Sequence, residues 1–192
     1  EVAAGTCAFG RCIAPLVHHV TELDVTDAML EVGRVEAEAH GLDNVSFVQG
    51  QAERLPFADN SFDCVASRLA FHHFANPKTA FAEMLRVLKP QGKLVVIDMR
   101  AREEALRQTA DHWERLRDPS HVRCLSEAEF RELADAMNVT FCETICLPVA
   151  LTDWMKVTEV SEPTQAEIIH AMECDLAGSS PTGFEPYRQD GR

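Results

Sequence analysis

EVAAGTCAFGRCIAPLVHHVTELD, residues 1–24, is the stretch on which the fold reading turns. Its opening turn, Ala3-Ala4-Gly5-Thr6-Cys7, has the outline of a glycine-rich nucleotide loop with some glycines replaced. Asp24 closes the strand that follows. A phosphate-binding fingerprint runs GxGxxG, with an acidic residue about 20 positions on that takes the ribose hydroxyls. Asp24 stands at a suitable distance, and Gly5 is kept where the backbone approach is tightest. A pyrophosphate demands several bare amides at a helix N-terminus. This loop offers a poorer nest, so it favours a ligand without phosphates, and a nicotinamide dinucleotide fits it badly.

Outward from that turn, the pattern alternates strand and helix. Arg11–Val17 reads as a short helix, and "HHVTELD" as a strand ending on Asp24. "TDAMLEVGRVEAEAHG" places Met29, Leu30, Val32, Val35 and Ala39 at helical spacing, with Thr26 as N-cap and Gly41 as stop. "NVSFVQG" and "SFDCVASR" read as strands, the second short and apolar like one covered on both faces. "NPKTAFAEMLRVLKP" is a helix with Pro77 in its first turn, a face of Phe81, Met84, Leu85 and Leu88, and an end at Pro90. "GKLVVIDM" is a continuous apolar strand. Such alternation argues for an α/β fold, a doubly wound, mainly parallel sheet flanked by helices.

After Arg100 the pattern changes. "REEALRQTADHWERLRD" is a charged amphipathic helix, "DPSHVR" a turn, and "SEAEFRELADAM" a helix opened by Ser126 with Glu129 three residues on, a capping box. "VTFCETICLPVAL" reads as a strand, "LTDWMKV" and "EPTQAEIIHAMECDLA" as two helices, and "GSSPTGFEPYRQDGR" as a turn-rich tail. The expectation is one domain over residues 1–192, with a ligand-binding half over 1–100 and a helical half with one further strand over 101–192.

Bulk properties narrow the function. The 192 residues carry a formal net charge of −13, with Lys and Arg scattered rather than gathered in a stripe, which argues against nucleic acid as partner. No apolar run reaches the roughly 18 residues of a membrane span, so no membrane insertion is expected. The seven cysteines, at 7, 12, 64, 124, 142, 146 and 174, form no CxxC pair. Cys142 and Cys146 share one face of the expected strand, too far apart to share a metal easily. The cysteines read as small residues of a reduced, cytoplasmic protein with no metal site.

The stretches "EVAAGTC", "VTELDVTDAMLEVGR", "NVSFVQGQAERLPFADNSFDCVASRLAFHHFANP" and "EMLRVLKPQGKLVVID" follow one another from Glu1 to Asp98. On them the chain resembles the class I S-adenosylmethionine-dependent methyltransferases, in the small-molecule branch of the ubiquinone/menaquinone-biosynthesis methyltransferases (methyltransferase type 11). "RLRDPSHVR" also looks like one subgroup of bacterial relatives. The resemblance implies a Rossmann-like, seven-stranded sheet whose first strand is cut short here and whose last antiparallel strand lies beyond the sequence. The chain is therefore expected to be a piece of a longer polypeptide.

The resemblance also implies S-adenosylmethionine as cofactor and a small-molecule acceptor, on a monomer or homodimer. Glu1 would approach the donor's amino group, and the amides of Ala3, Ala4, Gly5 and Thr6 would pass under its methionine part. Cys7 would start the next helix with its side chain turned away. Asp24 would take both ribose hydroxyls, and Val25 and Met29 would flank the adenine. Gln51, Ala52 and Glu53 would lie along the adenine edge, with Ser67, Arg68 and Leu69 beside the transferable methyl.

Methyl transfer is an in-line displacement, so a base helps only where the acceptor must lose a proton. The candidates are His72 and His73 in "AFHHF" and His121 in "DPSHVR", each of which also reads as a packing or capping group. His18 and His19 read as a surface pair. Trp113 and Trp154 wall an acceptor pocket or cover core. Two other readings stay open: a catalytically silent, cofactor-binding relative with a regulatory role, and a dehydrogenase.

Overall fold

A computed structural model describes residues 1–156 and 158–188. Two compact units divide the chain, Glu1–Asp98 and Met99–Arg192.

In the first unit, strands β1 (Val20–Asp24) and β2 (Val45–Gln49) pair in parallel from Val20↔Val45 to Asp24↔Gln49. Strands β3 (Phe62–Arg68) and β4 (Leu88–Ile97) pair in parallel from Cys64↔Lys93 to Arg68↔Ile97. The opening residues join the two pairs. Val2 bridges Leu23 in parallel and donates its amide to the Ala66 carbonyl at 2.8 Å, while the Ala4 amide donates to the Leu23 carbonyl at 2.9 Å. The order is therefore β2–β1–(residues 1–4)–β3–β4, all parallel, with the opening segment at the centre. Parallel strands need crossovers, and helices α2 (Asp27–Ala39) and α3 (Pro77–Val87) supply them, as the alternation predicts.

Local details depart from the pattern for physical reasons. The first helix, α1, spans Ala8–Ile13 and gives way to a 3-10 turn, Ala14–Leu16, where Pro15 has no amide to continue the ladder. Thr26 sits at the N-cap of α2, but its hydroxyl caps nothing; its amide donates to Asp24 Oδ1 instead. The buried face of α2 is Leu30, Gly33 and Ala37, whereas Met29, Val32 and Val35 are 45, 48 and 55% exposed. Small residues make the contact because α2 approaches closely: a Cβ on Gly33 would lie 2.6 Å from Cys7 Sγ. Asn76 caps α3 by accepting the Thr79 amide. That helix ends at Val87 rather than Pro90, since the residue before a proline is pushed out of the helical region.

The second unit is helical: α4 (Arg107–Arg117), α5 (Glu127–Ala136), α6 (Leu151–Met155) and α7 (Glu162–Leu176). Both halves of the Ser126/Glu129 capping box form. Met155, Ile168 and Met172 make an apolar core packed by Trp113, Trp154 and Phe184. The buried face of α4 is largely ionic, with Arg107, Asp111, Glu114 and Arg117 all enclosed.

The strand expected over residues 139–151 is a correction. Residues 139–150 carry no strand, and Leu151 already belongs to α6. A strand exists only as a pair, and this unit holds no partner strand among its described residues. Ile145, Leu147 and Val149 are left largely exposed, and Cys142 and Cys146 share no strand face. Val157, the expected end of "LTDWMKV", and residues 189–192 of the tail lie outside the described residues. No helix among the described residues is long and apolar enough to cross a membrane.

Candidate functional site

Every strand of the first unit sends its carboxyl end to one edge, and most of the candidate residues lie in the turns there. Asp24, at the end of β1, is 8% exposed. Its Oδ2 accepts the Gly5 amide at 2.7 Å and its Oδ1 the Thr26 amide at 2.8 Å. The two points that the resemblance assigns to the ribose and the methionine part of one ligand are thus joined directly. The space above Gly5 is open: a Cβ there would meet nothing within 4 Å. Val25 and Met29 present exposed apolar surface just after Asp24.

The replaced glycines keep the glycine conformation. Ala3 and Cys7 have φ of 56° and 59°, beside 55° for Gly5. Cys7 forms the N-cap of α1, and its side chain packs with Ala4 and Leu30, away from the open face. Burial pushes its thiol up to about 12, so it acts as a small apolar group. A left-handed φ costs an alanine about 1–2 kcal/mol. Ala3→Gly is therefore expected to raise stability by about 1 kcal/mol, read from thermal melting. Cys7→Gly gains nothing comparable, because it also empties a packed site.

Glu1 turns its carboxylate to α1, where Oε2 accepts the Gly10 amide at 2.9 Å. At the end of β2, the Gly50 amide donates to the Asp24 carbonyl, Gln51 bridges Arg54, Ala52 is buried, and Glu53 is half-buried. At the end of β3, Ser67 is buried with no hydrogen-bond partner for its hydroxyl and Arg68 is exposed, and just beyond it Leu69 takes a φ of 52°.

Of the three histidines, His72 and His73 lie in the first unit and His121 in the second. His72 is buried, its Nδ1 paired with Asp98 Oδ1 at 2.5 Å, while Asp98 Oδ2 accepts the Phe71 amide at 2.7 Å. The His73 ring lies 4.0 Å from that of His72, centroid to centroid. His121 is enclosed in the second unit, its Nε2 paired with Asp111 Oδ1 at 2.7 Å. The same Asp111 oxygen accepts the Cys124 amide, and the ligand-type atoms of Asp111, His121 and Cys124 lie within 4.8 Å of one another. Sequence reasoning missed Asp98, although it closes β4 in the way that Asp24 closes β1.

A methyltransferase-domain family profile matches residues 1–96. The chain is 36% identical over 159 residues to the uncharacterized methyltransferase YcgJ of Bacillus subtilis, covering 81% of this chain and 63% of that protein. Against the YcgJ crystal structure the TM-score is 0.80 at 34% identity, over 89% of this chain and 74% of that one. YafE of Escherichia coli is 39% identical over 157 residues, 79% of this chain and 73% of YafE. The ubiquinone/menaquinone biosynthesis C-methyltransferase UbiE of Shewanella pealeana is 40% identical over 108 residues, 55% of this chain and 43% of that protein. The chain thus spans less than two thirds of the length of YcgJ and UbiE, and the match to YcgJ runs well past the domain profile. On this fold and these matches, the chain belongs to the methyltransferase-domain family, the S-adenosylmethionine-using proteins of Rossmann-like architecture.

Proposed function

We propose that the protein transfers the methyl group of S-adenosylmethionine to a small-molecule acceptor by in-line displacement. One observation carries this reading: Asp24 binds the amides of Gly5 and Thr26 at once, beside an open glycine and an exposed apolar face. Such a cradle fits an adenosine. A carboxylate oxygen keeps a second lone pair for a ribose hydroxyl after accepting one amide. Val25 and Met29 offer an apolar surface to the base, and the unpartnered Ser67 hydroxyl lies at the adjacent strand end. No phosphate needs neutralising, so the loop serves without the full glycine set.

The bound donor brings a methyl group already activated on a sulfonium, which leaves the chain the tasks of alignment and exclusion of water. Where the acceptor must lose a proton, His72 is the base we assign. Asp98 fixes its ring through the Nδ1 contact, the arrangement that general-base histidines use.

Titration calorimetry with S-adenosylmethionine, S-adenosylhomocysteine and NAD tests the donor site. Both sulfur nucleosides are expected to bind and NAD is not. If neither sulfur nucleoside binds, the reading is wrong. Release of S-adenosylhomocysteine across a panel of phenols, quinones and amines then tests turnover. Binding without turnover for every acceptor would favour the silent, regulatory relative.

A further inference from the structure

Glu22, in the middle of β1, is fully enclosed, and neither of its carboxylate oxygens meets an N–H or O–H donor. Its head rests on Gly10 of α1, where a Cβ would lie 1.6 Å from Oε1 and 2.8 Å from Oε2. The amide of the same glycine donates to Glu1 Oε2. Two carboxyl groups, one from the central segment and one from β1, therefore meet over a single residue of α1. Two carboxylates can only accept, so neither can satisfy the other unless one of them keeps its proton.

The surroundings favour that proton. Arg11 of α1 is the cationic side chain facing Glu22; Arg68 acts on Glu1, and Cys7 stays a neutral thiol. Burial outweighs them. It pushes both carboxyls up, and with the Glu1 carboxylate beside it the Glu22 carboxyl is pushed up to about 8.

We propose that Glu22 is a positioning residue for the donor loop: the proton it shares with Glu1 clamps α1 to β1 and so holds residues 3–7 in the turn that the donor meets. Loss of the proton sets two buried negative charges against each other across Gly10. The repulsion is relieved by moving α1, and the loop moves with it. Donor affinity then depends on a group that does not touch the donor. The inference rests on the donor site assigned above.

Glu22→Gln is the informative variant, because its amide donates to Glu1 as the protonated acid does and does not titrate. S-adenosylhomocysteine affinity is measured by calorimetry on both proteins from about pH 6 to about pH 9.5. The amino group of the ligand titrates alike in both, so the difference between the two curves is the reading. The unsubstituted protein is expected to lose about tenfold more affinity than Glu22→Gln as pH rises through about 8. Ligand-free melting should diverge in the same direction. A carboxyl raised in the folded state stabilises fully below its unfolded value of about 4.5, and that stability is lost as pH rises through the folded value. Binding to both proteins with parallel pH curves overturns the inference alone. No binding to either, at any pH, overturns the donor site and the inference with it. Should Glu22→Gln fail to fold, Gly10→Ala combined with Glu22→Ala refills the space without a carboxyl and takes its place.

Discussion

Asp24→Asn lowers affinity for S-adenosylhomocysteine by about 100-fold, measured by titration calorimetry near neutral pH. The size follows from how the carboxylate is used. Both of its oxygens already accept backbone amides, Gly5 at 2.7 Å and Thr26 at 2.8 Å. An asparagine has one oxygen and one NH2. Whichever way it is turned, the NH2 faces an amide that needs an acceptor, so one bond is lost and two donors are set against each other. A hydrogen bond to a charged group contributes about 1.5–3 kcal/mol, and the ribose hydroxyls lose their charged acceptor as well. A loss near 3 kcal/mol corresponds to about two decades in affinity. Asp27→Asn, three residues on at the exposed start of α2, serves as the control and should change affinity less than about twofold. Unchanged affinity in a folded Asp24→Asn protein would place the donor elsewhere.

The half of the chain up to Asp98 is legible because its signals are local. Apolar runs of strand length, Pro77 at a helix start and Gly41 at a helix end each act within a few residues. The errors arise where a contact is set by what lies opposite. Met29, Val32 and Val35 look like the core of α2, yet the helix meets the sheet through Gly33 and Ala37, because Cys7 and Phe47 stand close on the other side. Glu22 is a charged residue inside the strand "VTELD", and it is buried because Gly10 leaves room for it. The His72–Asp98 pair joins residues 26 apart that only β3–β4 pairing brings together. Residues 139–150 have the composition of a strand, but composition does not supply a neighbour.

The ionic face of α4 leads to the largest expected loss of stability: Arg117→Leu should destabilise the second unit by about 3–5 kcal/mol. Arg117 and Glu114 are both enclosed, with the guanidinium Nε and Nη2 donating to Glu114 Oε2 at 3.1 and 2.9 Å. The Trp154 indole donates to Glu114 Oε1 at 3.1 Å, and the guanidinium lies 4.9 Å from the Trp154 ring centroid. Removing the arginine strips a buried carboxylate of its counter-charge and Trp154 of its cation. Leucine matches part of the volume and none of the charge. Replacing both partners, as Glu114→Leu with Arg117→Leu, removes the buried carboxylate along with the guanidinium and should recover much of the loss, since the cost of drying two ions goes too. Trp113 and Trp154, the two tryptophans of the chain, both lie in this unit. Denaturant unfolding followed by tryptophan fluorescence therefore reports on the second unit specifically. A double variant as unstable as the single one would show that Arg117 stabilises by packing rather than by charge.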